Sequence, residues 1–277
     1  MRLVTYESQR GARAGMLAGG RVVDAWDAIA GPGSTVRDLL ETGRLGELEG
    51  VDGPGVALAE VRLLAPVLDP DKIIGIGLNY KAHAAEAGLE PPASPTFFAK
   101  FRNALRGDGE TVDLPEASAK VDYEAEVAFI VGREAKGVAE ADALDHIAGY
   151  TLFNDLSARD LQFATPQWMP GKVFDGSAPC GPALVTPDEA GTHDAISIAL
   201  DLNGERMQDS STADLVFSIP ALLAELSRLM TLVPGDVVAT GTPAGVGGAR
   251  DPRVWLRSGD RISVISQQLG QLSTTIA

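Results

Sequence analysis

Asp122-Tyr123-Glu124-Ala125-Glu126-Val127-Ala128-Phe129-Ile130-Val131-Gly132 is the stretch on which the fold turns. Its second half is an unbroken apolar run ending at glycine, which predicts a buried strand over Tyr123–Val131. Its first half carries two carboxylates one residue apart. Alternate side chains of a strand share a face, so Glu124 and Glu126 point the same way. Two like charges on a strand that runs into the core need a compensating cation. A hard divalent ion such as Mg²⁺ or Mn²⁺ supplies it, because oxygen ligands suit such ions. A glutamate pair on a solvent-facing strand edge needs no ion, and spacing alone leaves both readings open.

Working outward, Lys72-Ile-Ile-Gly-Ile-Gly77 reads as a second buried strand, followed by a short helical stretch through His83 and Glu86. Further strands are expected at Thr96–Ala99, Gly149–Asn154, Ala183–Thr186, Ile196–Leu202, Asp236–Ala239 and Arg261–Ile265, and helices at Glu140–Ile147, Ala158–Ala164 and Ile219–Met230. Ser218 is a plausible N-cap for the last, with Pro220 in its first turn, where a missing N–H is harmless. Short strands dominate and no regular strand–helix alternation occurs. That disfavours a Rossmann fold or TIM barrel and predicts an α+β, mainly β, roll or sandwich. The first segment has strand-like runs at Met1–Tyr6 and Ala14–Val23, broken at Gly11 and Gly19–Gly20, and a helix from Ser34 to Gly43. Breaks near residues 65–70 divide the chain into a small N-terminal domain, 1–67, and a larger one, 68–277.

The chain has 277 residues, 38 acidic and 23 basic, for a formal charge of −15. Such acidity argues against nucleic acid and against an anionic membrane surface as partners. No apolar run approaches the roughly 18 residues of a membrane span; the most hydrophobic stretch, Leu215–Val233, is interrupted by Glu225 and Arg228. The first ten residues have no apolar core of a secretory signal. A single cysteine, Cys180, allows no intrachain disulfide and no thiolate cluster. The expectation is a soluble cytoplasmic protein.

Several other stretches could carry chemistry. Asp155 stands where an apolar strand stops and a helix is expected, so it is either an N-cap or a third acidic ligand. Arg159, Asp160 and Gln162 follow it, as an exposed helix face in the first case. His83 and Glu86 are three apart, hence neighbours on a helix. Such a pair can orient an imidazole for general-base work or be an ordinary surface contact. Lys172, in the loop Gly171–Asp175, could hold an anionic oxygen. Thr240-Gly-Thr242-Pro-Ala-Gly-Val-Gly247 lacks the ending of a phosphate loop, and Gly75-Ile-Gly77 lacks the third glycine of a dinucleotide fingerprint. Cys180, in the turn-like Pro179-Cys-Gly-Pro182, reads as packing.

Together, GLNYKAHAAE, FFAKF, DYEAEVAFIVG, GYTLFNDLSARDLQ, GKVFDGSAPCGP and TGTPAGVG resemble, in order, the fumarylacetoacetate hydrolase family over about residues 70–265. The resemblance implies a mixed β-sandwich roll, a homodimer, and Mg²⁺ or Mn²⁺ held by Glu124, Glu126 and Asp155. It implies that His83 and Glu86 activate water or move a proton, and that Lys172 polarises a substrate oxygen. Tyr80, Lys100, Arg159, Gln162 and Thr242 would bind a small keto-acid substrate. One departure is Lys100-Phe-Arg102, where many members have Lys-Pro and a serine-rich turn; Arg102 and Arg106 are candidates for an extra anion site. Members cleave C–C bonds of acylpyruvates, decarboxylate oxaloacetate or isomerise unsaturated hydroxy-dioic acids. The leading expectation is a hydrolase of a small β-diketo acid, with isomerase and decarboxylase as alternatives. A non-catalytic scaffold would need the carboxylates but not His83, Glu86 and Lys172.

Overall fold

A computed structural model describes residues 1–277. Its strands are β1 Arg2–Ser8, β2 Gly11–Ala18, β3 Arg21–Asp24, β4 Val56–Ala57, β5 Leu63–Leu64, β6 Ile73–Gly77, β7 Thr96–Lys100, β8 Leu105–Arg106, β9 Thr111–Val112 and β10 Val121–Asp122. They continue as β11 Ala125–Val131, β12 Ile147–Asn154, β13 Ser157–Ala158, β14 Ala178–Val185, β15 Ser197–Leu202, β16 Glu205–Ser211, β17 Val237–Ala239, β18 Arg261–Ser266 and β19 Gly270–Ile276. The helices are short: α1 Ala25–Ala28, α2 Val36–Glu41, α3 Lys81–Glu86, α4 Arg159–Gln162, α5 Pro187–Ala190 and α6 Ile219–Leu229.

The large sheet runs β4-β3-β2-β1-β14-β12-β11-β17-β6-β7 and is antiparallel except at β17 and β6 along this path. A five-stranded sheet, β16-β15-β18-β19-β9, packs across β11, β12 and β14. Strand β11 explains the sandwich: all seven of its residues are buried. Val127, Phe129 and Val131 pack with Ile198, Leu200 and Val264 of the small sheet. Ala128 and Ile130 face the opposite core, with Leu3, Trp26 and Leu39. A strand covered on both faces has no need to alternate, hence its continuous apolar run. Helix α6 buries Ile219, Leu222, Leu223 and Leu226, and the Ser218 hydroxyl accepts from Ala221 N–H as its N-cap.

The expected break at 65–70 falls between segments that share one sheet and one core. Strand β1 pairs with β14, and Leu3, Trp26 and Leu39 belong to the same apolar cluster as Ile73, Phe153 and Leu184. Other departures have local causes. Strand β14 begins at Ala178, so the turn-like Pro179–Pro182 stretch is strand; Pro179 is accommodated where β14 meets only the short parallel β8. Strands β16 and β19 are rich in polar residues, which is why no apolar run announces them. The expected helix at 140–147 is a 3₁₀ segment, Glu140–His146.

Candidate active site

The expected strand at Tyr123–Val131 starts only at Ala125, and its interruption creates the site. Two antiparallel ladders, β10 with β13 and β11 with β12, lie end to end with Tyr123-Glu124 opposite Asp155-Leu156 in the gap. There Asp155 N–H donates to Glu124 O at 2.8 Å, while Glu124 N–H donates to the Asn154 side chain at 3.1 Å. Freed from the regular pleat, Glu124 and Asp155 turn toward Glu126. One carboxylate oxygen from each of the three lies within 4.8 Å of the others, and all three residues are buried. Asp155 is not a helix cap, since α4 begins after Ala158.

Buried cations surround the triad. Lys172 Nζ donates to Glu124 Oε2 at 2.6 Å, Asp155 Oδ2 at 2.7 Å and Ser157 Oγ at 2.7 Å. Lys100 Nζ holds Asp155 Oδ1 at 2.6 Å. Arg159 contacts Glu124 Oε1 at 2.7 Å and Asp122 Oδ2 at 2.8 Å. Asp122 also accepts from Gly247 and Gly248 N–H, joining the guanidinium to the Thr240–Gly247 loop.

The charges do not balance. Burial would raise Glu124, but Arg159 and Lys172 hold it well below the usual carboxylate range. Burial outweighs Asp155 at Lys100, whose ammonium loses protons more readily than usual. Burial, reinforced by Asp155 and Glu124, pushes Glu126 well above its ordinary value, and Gly241 N–H at 2.8 Å is its hydrogen-bond donor. Four buried carboxylates, Asp122, Glu124, Glu126 and Asp155, face three cations, Lys100, Arg159 and Lys172, and the deficit sits on Glu126. A cluster of hard oxygen donors short of positive charge fits a divalent cation of the Mg²⁺ or Mn²⁺ type.

Glu124, Glu126 and Lys172 open onto a cavity of about 510 Å³. His83 and Glu86, on α3, line the same cavity. His83 Nδ1 lies 3.0 Å from Glu86 Oε2, and Glu86 Oε1 accepts from Gly245 N–H at 2.8 Å. Burial opposes its ionisation, but His83 and the Gly245 N–H bring the Glu86 carboxyl below its ordinary value. One wall is aromatic. Trp168 meets Phe98 edge-on at 6.3 Å, and Lys172 Nζ lies 4.8 Å from the centre of the Phe98 ring. Gly75 and Gly77 make this wall possible: a Cβ on Gly77 would stand 2.2 Å from the Trp168 ring, and one on Gly75 2.5 Å from Phe98.

The residues matched by a family model, 72–277, are those of the fumarylacetoacetate (FAA) hydrolase C-terminal domain. The chain belongs to the fumarylacetoacetate hydrolase family. A mitochondrial oxaloacetate tautomerase of Xenopus laevis is 43% identical over 220 residues, 79% of this chain and 69% of that protein. Fumarylacetoacetate hydrolase from Exiguobacterium antarcticum superposes with a TM-score of 0.89 at 33% identity, covering 100% of this chain and 99% of that one. A maleylpyruvate hydrolase from Sphingobium sp. SYK-6, solved with manganese(II) and pyruvate, gives 0.82 at 30% identity, with 100% and 99% covered. The chain is thus an enzyme of a family that uses divalent metal, and the buried triad is its matching feature. No helix is long and apolar enough to cross a membrane.

Within this family site, the residues expected from sequence fall into two groups. His83, Glu86, Glu124, Glu126, Arg159, Gln162, Lys172 and Thr242 line the cavity. Arg159 and Gln162 are not an exposed helix face: Gln162 is buried and accepts from the Arg159 guanidinium at 3.0 Å. Thr242 Oγ1 accepts from Gln208 Nε2 at 2.8 Å, which leaves its own O–H to donate. Tyr80, Lys100 and Asp155 do not line the cavity; Asp155 lies behind its wall, fully buried between Lys100 and Lys172. Tyr80 is fully buried in the core, where burial raises its hydroxyl. Lys100 is covered too, and acts on Asp155. Arg102 and Arg106 also lie off the cavity wall, and Arg106 donates to Leu105 O at 2.7 Å.

Asp122, Ser157, Gln208, Trp168 and Trp255 also belong to the site, without a motif in the sequence that marks them as such. Asp122 begins the very stretch that decided the fold, and its buried position beside two carboxylates was the available signal. Gln208 lies far away in sequence, and only the fold brings its amide to Ala125 N–H and Thr242.

Proposed function

We propose that the protein is a divalent-metal-dependent hydrolase that cleaves a C–C bond in an acylpyruvate-like β-diketo acid. The observation that carries this reading is that the His83–Glu86 pair lines the same cavity, of about 510 Å³, as Glu124 and Glu126 of the carboxylate triad. Glu124, Glu126 and Asp155 would hold the ion, Mg²⁺ or Mn²⁺, which when bound supplies Lewis-acid stabilisation of charge on the substrate's 2-keto oxygen.

The chain's own residues supply the rest. Gly245 N–H fixes Glu86, and Glu86 fixes the imidazole so that Nδ1–H donates to it. Nε2 is then left to take a proton from a water in the cavity. The water oxygen attacks the distal carbonyl, and the bond from that carbon to C3 of the pyruvate unit breaks. Its electron pair becomes the enolate of pyruvate, and His83 returns the proton to C3. One water is consumed, and one carboxylic acid and pyruvate are released. The Thr242 hydroxyl offers a hydrogen bond to a pyruvate oxygen, and the Lys172 ammonium, whose three N–H groups go to Glu124, Asp155 and Ser157, stabilises through its charge the negative charge that develops there. Glu86, kept ionised, stabilises the transient imidazolium.

A second reading is favoured by the 43%-identical oxaloacetate tautomerase. There the same dyad would move a proton between carbon and oxygen with no water attack. Incubating metal-loaded protein with acetylpyruvate and with oxaloacetate, with EDTA controls, separates the two. Hydrolysis predicts acetate and pyruvate from acetylpyruvate, abolished by EDTA. Accelerated keto–enol exchange of oxaloacetate, with acetylpyruvate left intact, overturns hydrolysis in favour of the tautomerase. Pyruvate and CO₂ from oxaloacetate would instead mark a decarboxylase.

A further inference from the structure

Two cations of the cavity wall take no part in that reaction. Lys120 and Arg253 both line the cavity and are solvent-exposed, and neither side chain makes a hydrogen bond or ion pair. The wall's deeper cations are engaged, Arg159 by Asp122 and Glu124, Lys172 by Glu124 and Asp155. The backbone brings the free pair to one rim: Leu256 N–H donates to Val121 O at 2.9 Å, tying the segment that carries Arg253 to the strand that follows Lys120. Lining the same cavity are Trp168, packed on Gly77, and Trp255, whose ring would meet a Cβ on Gly248 at 3.3 Å. The cavity therefore combines a polar, charged centre, apolar aromatic walls and a cationic rim; Asp160, in the same wall, is already held by the Ser118 hydroxyl and Ala119 N–H and pairs with neither cation.

We propose that Lys120 and Arg253 bind a carboxylate at the far end of the substrate, so that the enzyme selects 2-oxo diacids whose carbon spacer lies along Trp168 and Trp255. The inference rests on reading the cavity as a 2-oxo acid site, and deepens it. A chain with a net charge of −15 repels anions at long range. Two uncompensated cations at the mouth of its cavity oppose that repulsion where a second carboxylate would arrive. Arginine's planar fork matches a carboxylate in a bidentate contact. A monoacid tail would leave both cations to water, and the shortest diacids would leave the aromatic walls uncovered.

Calorimetric titration of the Mn²⁺-loaded full chain tests this without depending on turnover. The probes are pyruvate, the diacids 2-oxoadipate and 2-oxopimelate, and the length-matched monoacids 2-oxohexanoate and 2-oxoheptanoate. At least one diacid should bind about tenfold more tightly than its monoacid, as expected for a hydrogen-bonded charged group. The ratio should fall to about one in the double variant Lys120→Met/Arg253→Met, while Arg253→Lys, which keeps the charge but loses the bidentate fork, should fall between the two. Equal affinity of diacid and monoacid for the parent overturns the proposal, as does a preference that survives the double substitution. Pyruvate separates the two layers of inference. If pyruvate binds and the diacids gain nothing, only the rim assignment falls. If pyruvate does not bind, the 2-oxo acid reading fails and the rim assignment fails with it.

Discussion

At the scale of single residues, what marks this site is uneven compensation. Glu124 has two cations within hydrogen-bonding distance, Asp155 has two, and Glu126 has one backbone N–H. The three acids and the dyad could be named from the sequence through the family resemblance, whereas residue type and spacing left each of them open to a second reading. The sequence did not separate a carboxylate that is already paired from one that is not, since the partners lie 48 and 55 residues away along the chain. Glycines were the other blind spot. Gly77 read as a failed nucleotide motif, whereas its missing side chain is what lets Trp168 reach the strand. Gly77→Ala should displace Trp168 from the wall. Because that ring is only partly buried it can swing outward, so the loss should appear in function more than in stability. We expect kcat/KM to fall about tenfold, equivalent to about 1.4 kcal/mol of lost transition-state stabilisation. An unchanged kcat/KM would show that Trp168 does not shape the substrate site.

Among the elements, those with a strong local signature were legible and those set by pairing were not. Helix α6 ends within one residue of its expected C-terminus, since a capping serine, an early proline and an amphipathic run act locally. The gap between β10 and β11 was not legible, because it depends on the Asn154 side chain replacing a backbone acceptor across the ladder. The N-terminal hairpin shows how such pairing translates into stability. Arg13 on β2 makes two hydrogen bonds of 2.7 Å to Asp24, which also caps α1. Burial raises the Asp24 carboxyl, but Arg13, Asp27 N–H and Tyr6 together bring it below the ordinary value. A carboxyl depressed in the folded state stabilises above its unfolded pKa of about 3.9, and that contribution is lost as pH falls through the folded value. Thermal melts from pH 6 to pH 3 should therefore show a smaller loss of Tm on acidification for Asp24→Asn than for the parent. Parallel Tm–pH curves for the two proteins would remove Asp24 from the account.

For the whole molecule, the fold class was legible in outline: many short strands, few helices and no alternation of the two. How far the first 67 residues continue the main sheet was not, because the β1–β14 pairing joins residues more than 180 apart. Charge works at this scale as well. The body is strongly acidic, whereas the cavity wall sets four cations, Lys120, Arg159, Lys172 and Arg253, against four carboxylates, Glu86, Glu124, Glu126 and Asp160. Raising salt from about 0.1 to 1 M shortens the screening length from roughly 10 to 3 Å. It weakens the body's repulsion of an anionic substrate more than it weakens contacts inside the cavity. We expect kcat/KM to stay flat or rise over that range, and a steep fall would mean that the exposed rim, not the buried centre, dominates capture.

If the buried, charge-deficient triad holds a divalent ion while a separate dyad moves the proton, metal binding and turnover should come apart in two variants measured side by side. Mn²⁺ affinity and turnover should be determined for Glu126→Ala and His83→Asn. Glu126→Ala should lose Mn²⁺ binding and activity together, whereas His83→Asn should bind Mn²⁺ as the parent does and lose turnover by roughly 10²–10⁴-fold, the range of general acid–base catalysis. Parental Mn²⁺ affinity in Glu126→Ala, or near-parental turnover in His83→Asn, would contradict that division of roles.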